Sequence, residues 1–211
     1  MARFYLLFLA ALLSVSMEAA VGHMWLAKVD YEISYSGFES EELDLMPKQQ
    51  TMLVNGSNTR RIMSVGDTKT YVIGNADSSL LINMSENEMD CMATLCDSAD
   101  IAWGRSTLQM VVTPLNESRN ILGYPCHGYE VSIRDTVDEQ TYSEEIWTTD
   151  YIGGEKLNFY LYPEVKGCVL YSKKTDGARV TISKATKVSK QTAIPARSFL
   201  PPSDCVIESC R

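Results

Sequence analysis

Residues 121–152 read ILGYPCHGYEVSIRDTVDEQTYSEEIWTTDYI, and this stretch decides the fold class. Gly123 and Pro125 flank Tyr124 as a turn. Tyr129, Val131 and Ile133 then alternate with Glu130, Ser132 and Arg134. A period of two is that of a strand with one apolar and one wet face. Residues 135–140 are polar enough for a hairpin loop, and a second strand runs to Trp147 and Asp150.

Working outward, Trp25, Ala27, Val29, Tyr31, Ile33 and Tyr35 alternate with polar neighbours, except at Leu26, and predict a long one-faced strand. Residues 51–54 and 61–65 are two β runs around the turn signal Asn55-Gly56-Ser57-Asn58. Turns at Gly66-Asp67 and at residues 74–78 lead into runs 70–73 and 80–83. Residues 107–112 predict a strand ended by Pro114, and residues 168–172 and 178–183 a hairpin around Asp176-Gly177. Strands this short and regular predict a mainly β (α+β) fold, with one or two short helices. Residues 37–48 read as a loop or weak edge strand and residues 157–162 as a short amphipathic run. In residues 86–97, Met89, Met92, Ala93 and Cys96 lie at helical spacing behind an acidic start. That predicts a short helix, in competition with a local Cys91–Cys96 bridge. The segment from about 188, with Pro195, Pro201 and Pro202, reads as an extended tail.

The N-terminus carries Arg3, an apolar run over residues 4–15, and small residues at Ser16, Ala19 and Ala20. This is the pattern of a secretory signal peptide, residues 1–19. It is shorter than the roughly 20 apolar residues of a membrane span. No cysteine stands near the cleavage region, so no lipobox is expected, and no later stretch predicts a membrane span. Residues 20–211 are expected to form a single domain in the periplasm or outside the cell. A formal charge of −8 and the lack of a basic patch argue against nucleic acid as partner.

The six cysteines are Cys91, Cys96, Cys126, Cys168, Cys205 and Cys210. An even number in an exported chain predicts disulfides, with 15 pairings open to it. The simplest scheme closes CMATLC and CVIESC locally and joins Cys126 to Cys168. Zinc would use the same thiolates, but no histidine accompanies the paired cysteines, so no metal or other cofactor is expected. His127 follows Cys126 directly, and strand neighbours face opposite ways, which argues against a nucleophilic pair. The same geometry argues against Glu144 and Glu145 as a glycosidase pair. No enzyme motif occurs, and a non-catalytic protein is expected. Asn55, Asn83 and Asn116 head Asn-x-Ser sequons, which matter only in a eukaryotic secretory chain.

The segments Ile121-Leu122-Gly123-Tyr124-Pro125-Cys126 and Trp147-Thr148-Thr149, the run Arg60-Arg61-Ile62, and Phe199-Leu200-Pro201-Pro202 together resemble a bacterial family of exported proteins of unknown function, the DUF4412-type domain. Pro125 and the CxxxxC units depart from its pattern. The resemblance implies a fold similar to the LolA and LolB lipoprotein carriers: a strongly curved antiparallel sheet, or half-barrel, with helices against its concave face. It implies a periplasmic, cell-envelope setting and no known catalytic residues. Two functions follow as expectations. One is a carrier or binding protein for a hydrophobic ligand or acylated partner, with a groove lined by Trp25, Tyr31, Tyr35, Tyr129, Val131, Ile133 and Trp147. The other is an envelope interaction module without a ligand cavity.

Overall fold

The computed structural model describes residues 22–210, so the expected signal peptide, residues 1–19, lies outside the described residues. The alternation in the first strand holds residue by residue. In β1 (Leu26–Ser36), Ala27, Val29, Tyr31 and Ile33 are buried while the residues between them are not. From it the chain runs through β2 (Gln49–Asn55), β3 (Asn58–Val65), β4 (Thr68–Asn75), β5 (Leu80–Glu86) and β6 (Cys91–Cys96) as an antiparallel meander. A second meander consists of β7 (Leu108–Ile121), β8 (Tyr124–Asp135), β9 (Thr141–Thr149), β10 (Cys168–Asp176) and β11 (Arg179–Lys190). β1 pairs with β11 and fuses the two meanders. The last strand, β12 (Val206–Ser209), returns to the far edge and pairs parallel with β6. The described residues thus form one open, curved, mixed sheet of 12 strands with β12 and β7 at its edges. This is the expected mainly β class, with a single parallel pair added. Register shifts in β1–β11, β9–β10 and β7–β8 mark bulges, which bend a sheet and increase its twist.

Several local expectations change. Residues 86–97 do not form a helix. They hold the end of β5 and all of β6, where backbone pairing with β5 and β12 outweighs the helical spacing of the methionines. The nine-residue helix starts later. It is α2 (Ser98–Ser106), while residues 37–48 contain a five-residue α1 (Ser40–Asp44). Pro114 does not end β7; it sits at an edge-strand bulge, where a missing N–H costs no ladder bond. Residues 157–162 form turns. The tail is docked by a 3₁₀ turn (Ala196–Phe199), whose Phe199 packs with Tyr71, Ile82 and Met84.

The disulfides also differ. The bridges are Cys91–Cys205 and Cys96–Cys210, and Cys126 and Cys168 are free and buried. The local loops fail on distance. Cys91 and Cys96 sit at the two ends of an extended strand, about 16 Å apart at ~3.3 Å per residue. A disulfide tolerates a Cα separation of about 7 Å at most. The pairs Val206↔Met92 and Ser209↔Leu95 instead bring the two CxxxxC units side by side. Cys126 and Cys168 fail similarly. The pairs His127↔Thr148 and Cys168↔Thr149 put them on strands either side of β9, about 9.5 Å apart at ordinary strand spacing.

Two disulfides are the chemistry of an oxidising, extracytoplasmic compartment. No helix among the described residues is long and apolar enough to cross a membrane.

Candidate functional site

The segment joining the two meanders builds the site. Asp97 caps α2, accepting hydrogen bonds from the backbone N–H groups of Ala99 (2.8 Å) and Asp100 (2.9 Å). Asp100 returns the favour at the Asp97 N–H (3.0 Å), completing a capping box. At the other end, the Ser106 and Thr107 hydroxyls donate to the carbonyls of Trp103 and Gly104. The helix is tethered through Ile101, its one buried residue. Trp103 stands 63% exposed.

Beneath this helix lies a cavity of about 360 Å³. Ile101 and Trp103 form its helical wall, and Leu81 of β5 and Leu108 of β7 its sheet wall. Tyr160 and Leu161 close it from the long β9–β10 connection, and the Cys96–Cys210 bridge borders it. Its charged members are Asp100 and Arg105. Arg105 Nη1 donates to the Phe159 carbonyl oxygen at 3.3 Å, tying helix to loop. A volume in this range, apolar walls and a few polar groups are the usual make-up of a small-molecule site.

The seven residues expected to line a groove lie elsewhere. Tyr31 is buried, and its hydroxyl donates to the Val169 carbonyl oxygen at 2.7 Å. Burial pushes that hydroxyl's pKa well up. Tyr35 donates to the Pro47 carbonyl oxygen at 2.7 Å. Val131 and Ile133 are core, packed with Ile146, Tyr162 and Val165, and half-buried Tyr129 leans on the same cluster. Trp147 is fully buried in the largest cluster. Its Nε1 donates to Glu145 Oε1 at 2.6 Å, and the Arg119 guanidinium stacks 4.0 Å from its ring. Trp25 is exposed, edge-on to His23, beside a separate polar hollow that includes Asp150 and Glu155. The hollow beside the central hairpin is polar too, with Glu130, Glu144, Glu145 and Lys173.

The physical reason is the connection formed by residues 151–167. It folds back over the sheet instead of leaving it open. Gly154 N–H donates to the Gly56 carbonyl oxygen (2.9 Å), Phe159 and Tyr160 pack on Gly74, and the Tyr162 hydroxyl donates to Glu144. Gly153, at φ +68°, lets the chain turn against Val54. The hairpin aromatics therefore face protein, and the cavity opens where this cover ends.

Of the residues that form the cavity, the sequence singles out only Cys96 and Cys210, and those as disulfide cysteines. One local signal was present: Asp97-Ser98-Ala99-Asp100 is a helix-start pattern directly before Ile101.

No family model matches the chain, so the resemblance to the DUF4412-type domain finds no support there. No curated protein matches either. Among solved structures, the crystal structure of LprF from Mycobacterium bovis is similar over 88% of this chain and 94% of its own, at 11% identity and a TM-score of 0.34. At that identity and TM-score no site residue carries over.

Proposed function

We propose that this chain is an exported, non-catalytic binding protein of the bacterial cell envelope, which takes a small hydrophobic ligand or acyl group into the cavity beneath α2. The observation that carries the proposal is the cavity itself: apolar side chains from the helix, both meanders and the long connection converge on one space of about 360 Å³. The two bridges support an oxidising, extracytoplasmic setting for such a carrier, of which the periplasm is the one proposed here. Binding rather than catalysis is supported by the lining. The Asp100 carboxylate is engaged in capping the helix, and both histidines lie away from the cavity.

The test is titration of the oxidised protein with a fluorescent fatty-acyl probe. Saturable binding in the micromolar range is expected. Trp103→Glu, at an exposed position that the fold does not need, is expected to weaken it at least about tenfold by placing charge at an apolar mouth. No saturable binding, or binding indifferent to Trp103→Glu, would overturn the proposal. A second reading, an interaction module without a ligand, is favoured by a different observation: the connection covers the sheet beside the central hairpin and leaves no apolar groove there.

A further inference from the structure

The charges at the cavity are not equivalent, and their difference points to the class of ligand. Asp100 sits in the first turn of α2, where its carboxylate accepts the Asp97 N–H and faces the positive end of the helix dipole. It is committed to the fold. Arg105 sits in the last turn. Among the described residues its guanidinium makes one hydrogen bond, to a neutral carbonyl at 3.3 Å, and the ion pairs do not include it. A guanidinium carries five N–H donors in a planar fork suited to a carboxylate or phosphate. In a chain of formal charge −8, a cation whose charge no carboxylate among the described residues meets stands on the wall of the apolar cavity. Trp103 is exposed beside it, an amphipathic ring at the boundary between apolar interior and water.

From this we infer that the cavity selects a single-chain anionic amphiphile, with its aliphatic tail between Ile101, Leu81 and Leu161 and its head group on the Arg105 guanidinium. The inference rests on the binding function proposed above and adds the ligand's charge and size. The size follows from the volume. About 360 Å³ lies at the small end of ligand sites, which suits one chain rather than the several of a full lipid anchor. The charge follows from Arg105. A cationic head would meet a guanidinium and a carboxylate already engaged, and a neutral head would gain nothing from either.

The experiment displaces the fluorescent acyl probe from the oxidised full-length protein with four ligands of equal chain length: dodecanoate, monododecyl phosphate, dodecanol and dodecylammonium. The two anions are expected to compete about tenfold or more better than the alcohol, as charge-assisted bidentate hydrogen bonds allow, and the ammonium worst. Their relative rank tells a free carboxylate from a phosphate head group as the natural source. Arg105→Gln is expected to bring dodecanoate down to the alcohol's affinity and to leave the alcohol where it was. Arg105→Lys is expected to fall between, keeping the charge and losing the fork. Equal competition by anion and alcohol in the unmodified protein would overturn the inference while leaving the cavity as a binding site. So would an equal loss for all four ligands in Arg105→Gln, which marks a structural role. Failure of the probe itself to bind removes both the proposed function and this inference.

Discussion

Deleting the two bridges singly and together should give unequal costs, because they share one loop. Cys91–Cys205 and Cys96–Cys210 each span 114 residues. In the chain-entropy model a loop of that length closed in the unfolded state is worth about 5 kcal/mol. With one bridge in place, however, the other closes only a small ring, with four residues on each arm between the paired cysteines. A ring of about ten residues is worth about 3 kcal/mol by the same relation. Replacing either pair by alanine should therefore cost about 3 kcal/mol, since the surviving bridge still closes the long loop. Replacing all four cysteines should cost about 7–8 kcal/mol, some 2 kcal/mol more than the two single costs added. That is a large share of the 5–15 kcal/mol typical of a folded domain. The assay is urea unfolding without reductant, at about pH 6 so that the remaining thiols do not exchange. The slope m should also rise in the four-alanine protein, whose unfolded chain is more expanded. A cost of about 5 kcal/mol for either single deletion, or plain additivity, would refute the shared-loop reasoning and with it the side-by-side register of β6 and β12.

Thiol titration checks the other two cysteines. Two groups per chain, Cys126 and Cys168, are expected to react under denaturing, non-reducing conditions, and neither rapidly in the native protein. Burial raises the Cys126 pKa to about 11 and the Cys168 pKa to about 12, from an ordinary 9.0. Because both folded values are raised, the neutral thiols hold their contribution to stability below about pH 9. They lose it as pH rises through 11 to 12, so the urea midpoint should fall between pH 8 and pH 10.5 and fall less when both are alanine. Gly128→Ala should destabilise by about 1–3 kcal/mol, the usual cost of overpacking, read as a lowered thermal midpoint. Its new methyl would lie 2.8 Å from the Trp147 ring and 2.9 Å from Leu115 Cδ1, and an unchanged midpoint would refute that close packing.

Much of the sheet was legible because a strand's face is written locally. Tyr31 and Val131 sit inside for the reason the alternation gave, and the turn at Gly56 joins the strands that its Asn-Gly signal separates. Residues whose state depends on distant chain were not legible. Met89, Met92 and Cys96 keep helical spacing on paper, but β6 gains a ladder on each side, from β5 and from a strand more than a hundred residues later. Nothing in a short apolar run tells those cases apart. The bridges were a nearer miss. Two CxxxxC units of equal spacing are what a parallel pair of strands needs, and the rule that an extended strand parts residues five apart already excludes the local loops.

The site was illegible for a related reason. A one-faced strand predicts that its apolar face is covered and does not say by what. In β9, Ile146, Trp147, Thr148 and Thr149 are all buried, with Ile146 and Trp147 in different core clusters, so here both faces are covered. The long connection supplies part of that cover through Leu157, Tyr162 and Val165, and its reach sets where apolar space survives. At Phe159 and Tyr160 it rests against β4, inward of β5 and of β6, which lies next to the edge strand β12. α2 carries the chain from β6 to β7, from one meander to the next, and it does so with one buried side chain. A nine-residue helix anchored at a single point does not fill the space beneath it. The cavity is thus a product of the join between two meanders, and its lining comes from segments that share no local pattern: a strand end, a helix, a loop tip and a C-terminal cysteine. Arg105 reaches it only because the helix that carries it closes that join.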